Sequence, residues 1–212
     1  MIDFAELSQK VIDGDVEATG EMTRAALKAK VSAEDILNKG LIPGIRKVGE
    51  FFGAGKYFLP ELLMAGKAMN TAMAILEPEL IKAKVGPRGR YVIGTVRGDM
   101  HDIGKNIVVM LLRSNGWEVT DLGVDVPPED FCAAVAKGNC QILGMSALLT
   151  TTMAVVKETI GALRASGLRD QVKVMVGGAP MTQEWANRAG ADGYASDGAE
   201  AVIVAEALIR KK

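Results

Sequence analysis

His101 is the single histidine among 212 residues. On its own a histidine reads equally as a metal ligand, an acid–base group or a loop residue without chemistry. Asp99, two residues upstream, stands close enough in a loop to accept a hydrogen bond from one imidazole nitrogen. Such a bond fixes the tautomer and strengthens the other nitrogen as a ligand. Gly104, three residues downstream, lets something bulky approach the backbone. No second histidine and no cluster of cysteines accompanies this group, so a three- or four-ligand zinc site is not expected. A lone histidine suits a metal that arrives already held by a macrocycle and needs one axial protein ligand. Haem and cobalamin both meet that description.

The elements that must position this group come in two kinds. From Arg90 onward, short β-rich runs (Tyr91 to Val96, Trp117 to Leu122, Ile142 to Ser146, Val172 to Val176, Gly193 to Ala195) alternate with amphipathic helical segments. The helical spacing falls near 103–115, 128–138, 152–166, 181–189 and 198–210. Strand–helix alternation implies a parallel sheet with helices on both faces. In such a doubly wound sheet the ligand crevice lies beyond the carboxyl ends of the strands. Those ends read Gly98-Asp99-Met100-His101-Asp102-Ile103-Gly104, then Ser146-Ala147-Leu148, then Gly177-Gly178, so polar or glycine residues follow three strands where a ligand would sit.

Ahead of the linker Gly86-Pro87-Arg88-Gly89 the apolar spacing is helical. Asp3 opens a helix carrying Phe4, Leu7 and Val11, closed by Gly14-Asp15. A second helix runs from about Val16 to Lys30. Ser32 with Asp35 resembles a capping box. The helix it opens carries Leu37, Leu41, Ile45, Val48 and Phe52, with Pro43 inside it expected to cost a hydrogen bond and bend it. A fourth helix, with Pro60 in its first turn, is expected to stop near Leu76 before Pro78. The fold class is therefore α/β: a four-helix bundle over residues 1–86, then a doubly wound, Rossmann-like five-stranded parallel sheet over 87–212.

Composition narrows the function classes. There are 25 basic against 26 acidic residues and 49% hydrophobic ones. Balanced charge argues against nucleic acid or an anionic membrane as partner, and no apolar run reaches spanning length. Without a secretory signal, Cys132 and Cys140 read as free thiols of a cytoplasmic protein.

Asp99-x-His101-x-x-Gly104, Ser146-x-Leu148 and Gly177-Gly178, in this order at these strand ends, resemble the cobalamin-binding motifs of methionine synthase and related corrinoid proteins. Gly53-Ala54-Gly55-Lys56-Tyr57-Phe58-Leu59-Pro60-Glu61 resembles the signature of the helical cap that precedes the cobalamin domain in that family. The resemblance covers nearly the whole chain and is similar to the small corrinoid proteins of methanol, methylamine, betaine and methoxyarene methyltransferase systems. It implies cobalamin bound base-off, cycling between methyl-Co(III) and Co(I), with His101 as lower axial ligand to cobalt in place of the cofactor's own dimethylbenzimidazole.

The resemblance also assigns residues. Asp99 hydrogen-bonds His101, and Thr152 stands where the family's relay ends in a hydroxyl. Met100, Asp102, Ile103 and Gly104 complete the loop that faces the cofactor. Ser146, Leu148, Thr150, Gly177 and Gly178 line a slot for the nucleotide tail, and Ala195, Ser196 and Asp197 contact its far end. Phe58 and Leu62 from the cap cover the methyl group. Proton uptake at the Asp99–His101 pair is expected to accompany loss of the axial bond, because a metal needs the neutral imidazole.

A protein of this kind carries a methyl group and does not select its donor. Its implied partners are a substrate-specific methyltransferase, a second methyltransferase acting on tetrahydrofolate or coenzyme M, and a reductive activator of Co(II). A cobalamin-responsive sensor or storage module is the alternative, although sensors carry a DNA-binding helix pair and this chain is not basic. A mutase small subunit shares the D-x-H-x-x-G loop but not the added cap, and a flavin binder explains neither His101 nor the first half. Other features take plain structural readings. Met64, Met69 and Met73, like Trp117 and Trp185, are expected to pack; Asp102 is expected to cap the helix after it.

Overall fold

The computed structural model describes residues 3–83, 85–138 and 140–210. Lys211 and Lys212, whose charge suits a helix C-terminus, lie outside the described residues. The chain divides into two compact units, Met1–Pro87 and Arg88–Lys212.

The first unit is helical. Helix α1 (Phe4–Ile12) starts on Asp3, whose carboxylate accepts from the Ala5 and Glu6 N–H groups, and buries Leu7 and Val11. Helix α2 (Val16–Lys28) is capped by Asp15. Ser32 opens a third helix by accepting from the Asp35 N–H at 3.0 Å. The Asp35 carboxylate does not close the box but pairs with Lys39. That helix begins as α3 (Ala33–Asp35), widens to π winding over Ile36–Leu41, and continues as α4 (Ile42–Gly53). The wide turns fall immediately before Pro43, where the missing N–H leaves an interior rung without a donor. Helix α1 packs on α4 and α2 on α5 (Leu59–Lys82). The α1–α4 contact is close: a Cβ on Gly44 would stand 2.6 Å from the Ser8 carbonyl oxygen.

Two expectations are corrected here. Helix α5 does not stop at Leu76 but runs through Pro78 to Lys82. Ala74, whose carbonyl loses its partner to this proline, is exposed, as is Pro78, so water can satisfy the free oxygen. Of the three methionines expected to pack, Met69 is fully buried, whereas Met64 is 46% exposed. Leu59, Leu62, Leu63 and Met64 surround the start of α5 with more apolar surface than one helix face can bury.

The second unit is a five-stranded, all-parallel sheet in the order β2-β1-β3-β4-β5. The strands are β1 (Arg90–Thr95), β2 (Glu118–Asp121), β3 (Ile142–Ser146), β4 (Lys173–Gly177) and β5 (Gly193–Ala195). Between them run α6 (Ile103–Ser114), α7 (Pro128–Ala136), α8 (Met153–Ala165) and α9 (Gln183–Ala189), with α10 (Gly198–Arg210) last. Helices α6 and α10 pack together, as do α7 and α8, one pair on each face. Alternate residues Val92, Leu143, Met145, Val174 and Val176 share one core with Phe131, Val135, Val156, Ile160 and Leu163 from α7 and α8. Burial on both faces is why these strands read as nearly continuous apolar runs.

Trp117 is buried edge-on against Tyr91, and Trp185 lies beneath Lys157. Both are packing residues. Cys132 and Cys140 are free and half-buried, and burial pushes the Cys140 thiol up to about 11. No helix among the described residues is long and apolar enough to cross a membrane.

Candidate functional site

In the order 2-1-3-4-5 the chain reverses direction across the sheet between β1 and β3. The loop after β1 holds Asp99 and His101, and the loop after β3 holds Leu148 to Thr152. The strand order thus sets side by side two loops that are about fifty residues apart in the chain.

Asp99 joins them. It is fully buried although both neighbours, Gly98 and Met100, are exposed. Its Oδ1 accepts from the His101 backbone N–H at 3.1 Å and lies 2.7 Å from His101 Nδ1. Its Oδ2 accepts from the Leu148 N–H at 2.7 Å, the Leu149 N–H at 3.3 Å and the Thr152 hydroxyl at 2.8 Å. Burial by itself raises a carboxyl pKa, but these donors outweigh it and hold Asp99 well below the usual carboxylate range. An ionised carboxylate only accepts, so the proton of a neutral imidazole must sit on Nδ1. Nε2 is then left with its lone pair available. The His101 side chain is 52% exposed, so that lone pair is within reach of a ligand.

The rest of the loop is anchored from within. The buried Thr95 hydroxyl donates to the His101 carbonyl at 3.0 Å. Lys105, 3% exposed, pairs with Asp121 at 2.5 Å and also donates to Asn106. Asp121 thereby ties the end of β2 to the first turn of α6. Thr95, Asp121 and Leu149 had no place in the sequence reading. A polar residue ending an apolar strand is the available signal for Thr95; Asp121 ends the largely polar β2 and Leu149 acts through its backbone, so neither leaves one.

Over this framework stand exposed apolar side chains: Met100 (68%), Ile103 (70%), Leu148 and Leu149 (41% each). A Cβ added at Gly104 would meet nothing within 4 Å, so the space above this glycine is open. Apolar surface of this kind around one free nitrogen marks a ligand face.

The remaining residues fall as follows. Ser146 ends β3, half-buried, and its carbonyl accepts from the Val96 N–H at 3.0 Å. Thr150 is exposed. Asp102 sits at the N-cap position of α6, but its carboxylate makes no cap bond and instead accepts from the Asn106 side chain at 3.0 Å. The expected capping role is therefore corrected: with Asp102 backbone at φ −121° and ψ −16°, the carboxylate turns to a side-chain donor one turn on. Gly177 and Gly178 follow β4, and their immediate reason lies in the protein. A Cβ on Gly177 would stand 2.9 Å from the Ala195 carbonyl oxygen, and one on Gly178 would overlap the carbonyl oxygen of Ala147.

Ala195 is buried, while Ser196 and Asp197 are engaged in starting α10. Ser196 donates through both N–H and hydroxyl to Glu200, and Asp197 accepts from the Glu200 N–H. The Ser196 bonds hold the Glu200 carboxyl below its ordinary value. In the helical unit, Phe58 is 66% exposed and Leu62 fully buried, with Leu63 the exposed leucine beside it. The Glu61 carboxylate accepts from the Phe58 N–H at 2.9 Å and so sets the start of α5.

A lone, oriented nitrogen on the rim of an open apolar face fits a macrocycle-held metal that lacks one axial ligand, and among the described residues no group of three or more acidic, cysteine or histidine side chains is placed to hold a metal ion by itself. Comparison with known proteins agrees. Residues 89–203 match the B12-binding domain family, and residues 4–77 match a second B12-binding domain family. A dimethylamine corrinoid protein of Methanosarcina acetivorans is 43% identical over 99% of this chain and 100% of its own. A crystal structure of a cobalamin-binding protein from Desulfitobacterium hafniense superposes with a TM-score of 0.85 at 34% identity, covering 98% of this chain and 99% of that one. A chain of the methanol:cobalamin methyltransferase complex of Methanosarcina barkeri gives 0.80 at 32% identity over 97% of this chain and 79% of that one. The fold and loop thus define a B12-binding protein. The chain belongs to the family of cobalamin-binding corrinoid proteins.

Proposed function

We propose that this protein is a methyl carrier that holds cobalamin base-off, with His101 Nε2 as the lower axial ligand to cobalt. When bound, the corrinoid supplies a metal centre able to accept a methyl group and release it. The protein's own contribution begins at Asp99. Its carboxylate accepts from Nδ1–H, which fixes the tautomer of the neutral imidazole and leaves the Nε2 lone pair for the metal. The Thr152 hydroxyl and the Leu148 and Leu149 N–H groups keep that carboxylate ionised and immobile, so the imidazole is positioned before the cofactor arrives. Met100, Ile103, Leu148 and Leu149 supply an apolar face that excludes water from the metal side. Ser146, Thr150, Gly177, Gly178, Ala195, Ser196 and Asp197 are the residues assigned to the displaced nucleotide tail.

The Asp99-centred hydrogen bonds, which leave one histidine nitrogen free, carry this reading. Reconstitution with hydroxocobalamin followed by electron paramagnetic resonance tests it. The Co(II) form should show nitrogen splitting from His101, and His101→Ala should abolish it. Wild-type splitting that heavy-nitrogen labelling of histidine leaves unchanged would remove His101 from the metal.

The partners follow from what relatives are named for, a dimethylamine corrinoid protein and a methanol:cobalamin methyltransferase complex. We assign to this chain a substrate-specific methyltransferase that loads it, a second one that unloads it to tetrahydrofolate or coenzyme M, and a reductive activator. Purified holo-protein alone should then show no turnover of methylamines, methanol or betaines until a loading methyltransferase is added. Demethylation by the single protein at a comparable rate would overturn the carrier assignment.

A further inference from the structure

Asp125 is one of two non-glycine residues with positive φ among those described, at +55°. Aspartate tolerates the left-handed region better than most residues, yet the conformation is still unfavourable, and such outliers persist where surrounding bonds over-determine them. The bonds here are specific. The Asp125 carboxylate accepts from the Gly98 N–H at 2.6 Å, and the Asp125 N–H donates to the Asp99 carbonyl at 3.1 Å.

The residues beside it make a different kind of contact. Val126 pairs with the exit of β1: its N–H donates to the Thr95 carbonyl at 2.9 Å, and its own carbonyl accepts from the Arg97 N–H at 2.8 Å. These bonds simply extend the sheet by an isolated parallel rung. Asp125 reaches past that rung to the two residues that lead into His101. Gly98 also has positive φ, +81°, so the chain turns sharply between Arg97 and Asp99. The backbone of that turn is held by Asp125, from the β2 side. The Asp99 carboxylate is held by Leu148, Leu149 and Thr152, from the β3 side.

We infer that Asp125 is a positioning residue for the axial ligand. It acts through Gly98 and Asp99, fixing the turn from which the imidazole is presented. The inference rests on the reading that His101 binds cobalt. Asp125 is exposed and lies outside the buried core, so its removal should loosen the loop without unfolding the sheet.

The test uses the full chain reconstituted with hydroxocobalamin and reads the ratio of histidine-bound to histidine-free Co(II) by electron paramagnetic resonance. Asp125→Asn keeps both an acceptor and tolerance for positive φ, and should stay within about twofold of wild type. Asp125→Gly loses only the carboxylate bond, and the ratio should fall about threefold. Asp125→Ala loses that bond and strains the turn, and should fall about tenfold. Urea midpoints measured in parallel should change little for the glycine variant, which decides the matter if the alanine variant fails to fold. Wild-type ratios in both the glycine and alanine proteins, with the splitting lost in His101→Ala, would overturn this inference and leave the ligand reading standing. Wild-type splitting that is unchanged by heavy-nitrogen labelling of histidine would overturn both.

Discussion

Replacing Asp99 by alanine should destabilise the protein by about 4 kcal/mol, because it strips the acceptor from several buried or half-buried donors at once. The Thr152 hydroxyl and the Leu148 N–H lose a short charge-assisted bond each, and the His101 ring loses its orienting partner. Asp99→Asn should recover only part of this, since an amide presents N–H groups where the wild-type carboxylate accepts on both oxygens.

The pH dependence has a definite sign. The folded-state pKa of Asp99 is lowered, so its contribution is fully present above the unfolded value, about 3.9. The contribution is lost as pH falls from there toward the folded value. Urea unfolding of wild type and Asp99→Ala should therefore show a gap that shrinks as pH falls below about 4. A gap that stays the same at pH 3 as at pH 7 would show that Asp99 is not an ionised acceptor in the folded protein.

The second large effect belongs to Gly178. Its φ is +134°, and an alanine Cβ there would overlap the Ala147 carbonyl oxygen where β3 and β4 leave the sheet. Both atoms are backbone-fixed, so relief requires separating two neighbouring strands. Gly178→Ala should cost about 4 kcal/mol or prevent folding. Gly104→Ala is the matched control: its Cβ meets nothing, so apo-protein stability should change by less than about 0.5 kcal/mol. The two variants are compared by urea midpoint, or by soluble yield where unfolding cannot be measured. Equal stability of the two proteins would mean that Gly178 tolerates a side chain and that its glycine answers to a ligand alone.

A glycine pair after a strand reads as clearance for a cofactor tail, and the structure adds a cause within the protein, the carbonyls of Ala147 and Ala195. Two other features read one way in the sequence and fold another. Pro78 reads as a helix end in the sequence, because a proline breaks a hydrogen-bond ladder; on an exposed helix side the orphaned carbonyl is open to solvent and the helix runs on. Asp102 occupies a capping position without capping. Each misreading concerns which partner a group meets, and a local pattern does not name partners. The strands, by contrast, were legible. Runs such as Tyr91 to Val96 and Ile142 to Ser146 are buried on both faces, and little but a central parallel strand needs so many consecutive apolar residues.

What the sequence alone determined is the chemical inventory and its grammar: one histidine, an aspartate two residues before it, polar or glycine residues at the carboxyl ends of three strands, and a helical half joined to an alternating one. The tertiary structure decided which of these groups meet. Asp99 and Thr152 are more than fifty residues apart, and nothing in their spacing says that their loops adjoin. They adjoin because β1 pairs with both β2 and β3, so the loop after β1 is flanked on each side, by Asp125 from beyond β2 and by Leu148 to Thr152 from beyond β3. Pairing of strands is set by how the two helical layers bury the sheet as a whole, a global condition that no local stretch of chain contains.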